Sequence, residues 1–417
     1  MTVYVKASTK KNNKINDTGM KKLDLPPKGC GIITLSGIFP FLFFPTAFID
    51  NLKLLRLLVT TESAGEANIE RTVITMSGAK PFSSGNALIE DAPPEGLVRW
   101  LVFMAIMVAL MVMIGGVTRL TGSGLSMVEW RPLMGALPPL NDTEWQRVFL
   151  LYQASPEFKE INSDMDMAGF KWIFFWEFFH RLWGRLLGVC FLLPLVYFWL
   201  AGRIPAGYKL PLIGLLFLGG FQGVVGWWMV TSGLVDNPAV SQYRLASHLG
   251  VALIIFSALI WTASNLQFGQ ARWPGGHSLA TLILVAVTII AGAFVAGMDA
   301  GLLYNEYPLM GDGFVPYEYG EQGVWDAFEN PASAQFHHRW IAVLAFIAVL
   351  AMALRLRQAG HNALAAALAL VIFLQFAMGL TTLLLGVPVW AGAMHQTGAV
   401  ALLALSLLGA HRLNPAH

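Results

Sequence analysis

Apolar runs of about 20 residues, the length that crosses a bilayer core, recur along this chain. They lie at about 98–117, 179–201, 209–230, 246–264, 279–297, 339–354, 363–385 and 390–410. None alternates polar with apolar as a membrane strand would. Helices that satisfy their own backbone are therefore expected, giving an all-α polytopic membrane protein with eight spanning helices. Basic residues without acids mark the short connections at Arg203 and Lys209, at Arg272, and at Arg355 and Arg357, and Arg412 lies in the tail. The segment Asp299 to Gln335 holds seven acids and no Lys or Arg. The positive-inside rule puts the basic connections on the cytoplasmic or matrix side and both termini with them. Every even-numbered span then begins at the outer face.

The pattern occurs twice. Arg131-Pro132-Leu133-Met134-Gly135 is echoed by Tyr307-Pro308-Leu309-Met310-Gly311, His180-Arg181 by His338-Arg339, Gln222-x-x-x-Gly226 by Gln375-x-x-x-Gly379, and His248 by His395. The order is the same in both halves, so the expected architecture is two pseudo-symmetric four-helix bundles, 98–264 and 279–410. They would form a parallel internal repeat about an axis along the membrane normal.

Composition agrees: 56% of residues are hydrophobic and 12% charged, where soluble domains carry about 25% charge. The net charge of +2 says little about partners beyond the lipid bilayer, and nothing points to nucleic acid. Of the two cysteines, Cys190 lies in a span and Cys30 in the N-terminal region, so no outer-loop disulfide is expected. Residues 1–75 hold eight of the twelve lysines, with two arginines against six acids. This atypical extension reads as spurious or disordered sequence before a start at Met76, or as an extra membrane segment; it is too acidic for a mitochondrial transit peptide. Residues 76–97 read as a cytoplasmic or matrix segment.

Ionisable residues inside spans are rare and mark function. His180, His248, His338 and His395 each head an even-numbered span. Paired within halves, they suggest two bis-histidine haem sites inside helical bundles. His337 is the rival of His338. Arg181 and Arg339 are candidate propionate contacts, since a guanidinium fork suits carboxylates; an ion pair of Arg181 with Glu177 is the alternative. Glu177 precedes His180 by one helical turn, and its counterpart is Gln335. A carboxylate can take a proton or stabilise a cation where an amide cannot, which suggests a reactive first half and an electron-transferring second half. The aromatic run from Trp172 to Trp183 reads as an interfacial belt, with stacking on a porphyrin as the alternative. His277, His361, His411 and His417 read as solvated.

The stretch Gly116-Val117-Thr118-Arg119-Leu120-Thr121-Gly122-Ser123-Gly124-Leu125-Ser126, with Glu177-Phe178-Phe179-His180-Arg181, Phe221-Gln222-Gly223, His248, Phe336-His337-His338-Arg339 and His395-Gln396, resembles the haem A synthase family over about residues 98–410. Trp130-Arg131-Pro132 in a long first loop resembles its mitochondrial and alphaproteobacterial branch. The resemblance implies oxidation of the C8 methyl of haem O to a formyl group by successive hydroxylations, giving haem A for cytochrome oxidase. It implies haem b on His338 and His395, substrate haem on His180 and His248, and Glu177 assisting the oxidation. It also implies haem O synthase and oxidase assembly factors as partners, and homo-oligomers; the electron acceptor stays open. A bacterial inner (cytoplasmic) membrane is expected ahead of the mitochondrial inner membrane. A di-haem b cytochrome that only transfers electrons, for example from quinol, is the competing reading.

Overall fold

The computed structural model describes residues 95–129, 134–234 and 238–416. The extension 1–75, the proposed start at Met76, nearly all of the 76–97 segment, Cys30, Trp130-Arg131-Pro132-Leu133 and His417 lie outside the described residues.

Among the described residues, eight helices are long and apolar enough to cross a membrane. They are α1 (Glu95–Leu120), α4 (Met167–Leu200), α5 (Lys209–Val230), α6 (Gln242–Phe268), α7 (Gly276–Gly297), α8 (Pro331–Gln358), α9 (Asn362–Leu384) and α10 (Val389–Arg412). Two shorter helices, α2 (Asp142–Gln153) and α3 (Pro156–Glu160), belong to the loop after α1.

The apolar runs fall on these helices, but several helices begin earlier than hydropathy alone suggests. α4 starts at Met167, where the Asp166 side chain accepts from Gly169 N at 2.8 Å. α8 starts at Pro331, behind an Asn330 cap that accepts from Ala332 N. Capping satisfies otherwise orphaned amides and lets a helix continue past its apolar stretch. His180 and His338 therefore sit inside their helices and not at the ends.

In the first half α1 packs on α4, α4 on α5, α5 on α6, and α6 back on α1. In the second half α7 packs on α8, α8 on α9, α9 on α10, and α10 back on α7. The halves meet through α1 with α10, α6 with α7, and α6 with α10. Lipid tails are as apolar as leucine, so such helices associate through close packing and interhelical hydrogen bonds. Gln396 Nε2 on α10 donates to the Val112 carbonyl of α1 at 3.0 Å. Gly116 lets that side chain in, because a Cβ there would overlap it. Arg119 donates to the Ala296 carbonyl at 2.8 Å and to Asp299 at 3.0 Å, tying the C-terminal end of α1 to that of α7.

The continuous apolar core, including Leu101, Leu212, Leu259, Val349, Met352 and Leu368, comes mainly from the helix portions remote from the four histidines. At that same end the C-terminal tail pairs with the link between halves, Arg272 N with Asn414 O and Ala416 N with Gln270 O. His411 is a correction to the expectation of a solvated side chain. It is buried, its Nε2 lies 3.0 Å from Asn265 Oδ1, and its ring meets Trp261 edge-on. Position at a helix end does not reveal that the ring packs against Trp261, Asn265 and Phe268 of α6.

Candidate functional site

Each of the four histidines stands against a glycine of the neighbouring odd-numbered span. A Cβ on Gly115 would lie 3.2 Å from His180 Nε2, and one on Gly292 would lie 3.1 Å from His338 Cε1. A Cβ on Gly226 or Gly379 would lie 2.8 Å from Cε1 of His248 or His395. At Gly226 and Gly379 the distance is closer than carbon atoms tolerate, and at Gly115 and Gly292 the ring would have to give by a few tenths of an ångström, so glycine lets each ring approach the neighbouring backbone. The Gln-x-x-x-Gly signature thus does two jobs. Its glycine seats the ring, and its glutamine holds the histidine's backbone: Gln222 Nε2 donates to the His248 carbonyl and Gln375 Nε2 to the His395 carbonyl, both at 2.9 Å. The sequence contained this signal, but spacing alone did not assign the glycines to the histidines.

His338 and His395 face one another with ring centroids 6.4 Å apart. Two imidazoles bound through nitrogen to one metal, at roughly 2 Å each, have centroids separated by about that distance. Their outer nitrogens are engaged. His338 Nδ1 lies 3.1 Å from the Thr288 carbonyl, and His395 Nδ1 lies 3.1 Å from the Gln375 amide nitrogen. The His338 contact is of the kind that orients a metal-binding imidazole, whose second ring N–H donates to a carbonyl; the Gln375 amide nitrogen is a donor and holds the His395 ring from the other side of that bond. The donor set and spacing therefore fit a haem iron. His337 points elsewhere: its Nδ1 lies 2.8 Å from the Ser333 carbonyl and its ring lies against Tyr319 of the outer loop.

His180 and His248 come within electrostatic reach of one another in the first half. In this half His248 Nδ1 is buried with no hydrogen-bond partner. Beside this pair, Glu177 is 2% exposed. It accepts from Ser126 Oγ and Met127 N, both at 2.7 Å, and from Arg181 at 2.5 Å. Gln335 does the opposite: its amide nitrogen donates to the Tyr304 carbonyl at 3.1 Å. The Glu/Gln difference is thus built into the loops that cap each half. Arg181 also donates to the Met127 and Glu129 carbonyls, and Arg339 to those of Tyr304, Glu306 and Leu309. Both arginines fasten a long interhelical loop to a helix, and Arg181 makes the ion pair with Glu177 as well.

The aromatic run is divided. Trp172 and Phe175 are exposed, as a belt requires, whereas Phe170 and Phe174 are buried in a second small core with Tyr152 of α2. In that loop the Tyr152 hydroxyl donates to Glu157 Oε2 at 3.0 Å and accepts from Asn162 at 2.8 Å. Burial above all, with repulsion from Glu177, pushes the Glu157 carboxyl from 4.5 up to about 7. The folded loop then holds this proton more tightly than the unfolded chain. Its stabilisation is complete below pH 4.5 and is lost as pH rises through about 7, by at most about 3 kcal/mol. Amide exchange in α2 and α3, corrected for intrinsic rates, should accelerate over that range in the native protein. It should stay flat in Glu157→Gln; equal slopes would remove Glu157 as the cause.

Comparison with known proteins gives the family of the chain. Residues 98–407 match the model of the cytochrome oxidase assembly protein family. The chain is 44% identical over 347 residues to a haem A synthase of Sphingopyxis alaskensis, covering 81% of this chain and 97% of that protein. It is 42% identical over 344 residues to one from Paramagnetospirillum magneticum, covering 79% and 97%. It is 44% identical over 326 residues to one from Caulobacter vibrioides, covering 75% and 95%. On a family match that takes in all eight spans, from 98 to 407, the chain belongs to the cytochrome oxidase assembly protein family.

Proposed function

We propose that this protein is a haem A synthase that oxidises the C8 methyl of haem O to a formyl group, using a first-half site for the substrate and a second-half site for a resident haem b. The relatives named above support the reaction. The division between halves rests on one observation: the halves share their histidines but differ in what surrounds them. His338 Nδ1 has the carbonyl partner that orients a metal ligand, His395 is held at both its ring and its carbonyl by Gln375, and the two rings stand 6.4 Å apart, as suits a group that stays. His248 lacks such a partner, and this half has a buried carboxylate, Glu177, one turn before its histidine, where the second half has Gln335.

Haem b would supply a redox-active iron, and His338 and His395 would hold it. The chain's own residues do the remaining work. Gly292 and Gly379 seat the ligand rings. Gly115 and Gly226 do the same for His180 and His248, which would bind the substrate's iron and fix the macrocycle. Glu177, fixed by three donors, places an acceptor and a negative charge where positive charge develops as the methyl group loses electrons. Arg181 and Arg339 hold the outer loops down, and the propionates of the two haems would come to this same level. The two four-helix halves, 98–264 and 279–410, act as substrate and cofactor bundles related as a parallel repeat. The protein sits in a bacterial cytoplasmic membrane with both termini inside, receives haem O from a haem O synthase and passes haem A toward oxidase assembly.

The test is haem analysis of the purified protein after co-expression with a haem O source. Haem A appears if the reading holds, whereas an electron-transferring di-haem cytochrome yields haem b alone. The cofactor assignment has its own check. Gln375→Leu should weaken haem b retention roughly 10–100-fold, the usual cost of losing an orienting partner. Gln222→Leu should leave haem b content unchanged. Equal loss in both variants would contradict the assignment.

A further inference from the structure

The two bundles differ on the side that faces lipid. α1 and α6 are covered by the second half, so α4 and α5 are the first half's outward helices, as α8 and α9 are in the second half. α8 and α9 pack closely, and their seam is filled by aromatic rings. Phe346 of α8 meets Phe373 and Phe376 of α9 at centroid distances of 5.1 and 5.3 Å, and Tyr307 of the outer loop meets Phe376 at 6.3 Å. Counting from the shared His-Arg and Gln-x-x-x-Gly landmarks, the first-half counterparts of Phe346, Phe373 and Phe376 are Gly188, Gly220 and Gly223. A Cβ on any of the three would meet nothing within 4 Å, and α4–α5 is the least closely packed pair of adjacent helices within either bundle.

The position of this seam suits one occupant. α5 stands between α4, which carries His180, and α6, which carries His248. A flat ring held between those histidines presents an edge toward α5. Gly188 lies two helical turns below His180, roughly 12 Å toward the bilayer centre at 1.5 Å per residue, and Gly223 lies one turn below the glycine that seats His248. Behind the seam His248 Nδ1 is buried with no partner, whereas its counterpart His395 Nδ1 has one.

We propose that the α4–α5 seam is a lateral portal through which the substrate haem, an amphipathic ring with an isoprenoid tail, passes between the bilayer core and the first-half site, and that Phe346, Phe373 and Phe376 close the same seam in the second half. The proposal rests on the substrate and cofactor assignment above and deepens it. A substrate must enter and leave, and a cofactor must not.

The experiment uses full-length, haem b-loaded protein in lipid vesicles, with haem O supplied in separate vesicles. Uptake is followed as growth of Soret absorbance over the resident haem b. Gly220→Phe and Gly223→Phe should slow uptake at least roughly tenfold, as expected when access requires a rearrangement, with haem b content unchanged. Gly214→Phe, on a different face of α5, should load at the native rate. Conversely, Phe376→Gly should make haem b extractable by a haem-scavenging globin, while the native protein keeps it. If both filled variants load at the native rate, the portal is wrong although the substrate assignment stands. If the native protein itself takes up no haem O, both fall. Should a filled variant lose haem b through misfolding, the Phe376→Gly exchange decides: no faster release than native overturns the proposal.

Discussion

Replacing Glu177 with glutamine is expected to reduce haem A formation at least roughly 100-fold, the scale seen when an electrostatic group aimed at developing charge is removed, while haem b stays at native stoichiometry. The amide keeps the size of the carboxylate and can still accept from Ser126 Oγ and Met127 N through its one oxygen. It cannot supply the negative charge, and Arg181 loses its ion pair with Glu177. Removing one member of a buried ion pair is costly, about 3–5 kcal/mol. Arg181 nevertheless keeps its bonds to the Met127 and Glu129 carbonyls, so the outer loop retains part of its anchor. The second half shows that an amide fits at this position, since Gln335 lies buried there among loop contacts of its own. Haem extraction and spectral quantification of both haems in the same preparation make the check. Native levels of haem A in Glu177→Gln would remove the carboxylate from the reaction.

Much of this organisation was legible in the chain. Spans showed because a helix exposed to lipid must be apolar along its whole length, a strong signal in any window. The histidines stood out because ionisable groups in such windows are rare. What sequence reading missed lay in relations between segments distant in the chain. Gly292 and His338, or Gly115 and His180, are contacts between helices, and a glycine in an apolar run looks the same whether it seats an imidazole or faces lipid. Helix starts were read too late because caps such as Asp166 and Asn330, and not hydropathy, set them. The burial of His411 escapes sequence reading because it comes from packing against Trp261, Asn265 and Phe268 of α6, far away in the chain. The alternatives for Arg181 were weighed evenly in sequence. The fold shows its ion pair with Glu177 together with carbonyl contacts that no periodicity encodes.

The second large effect concerns the two histidine pairs. His338→Ala or His395→Ala should yield protein without haem b and without haem A formation, because either change removes one of two facing imidazoles that are 6.4 Å apart. His180→Ala or His248→Ala should instead leave one haem b per chain and abolish only the oxidation. The halves are kept separate by construction: each ring is seated by a glycine of its own bundle, so emptying one site does not unseat the ligands of the other. Gly379→Val provides a version that leaves every ligand in place. A branched side chain there collides with His395 Cε1, since even a Cβ would approach to 2.8 Å, and the ring must swing off its axis or the helices must part. Haem b should then be lost to nearly the same extent as in His395→Ala, whereas Gly226→Val should spare haem b and impair only substrate binding. A haem b content that falls equally after His180→Ala and His338→Ala would show that the two sites are not divided as cofactor and substrate. It would return the molecule to a pair of equivalent haem sites, in which the carboxylate at Glu177 has no special task.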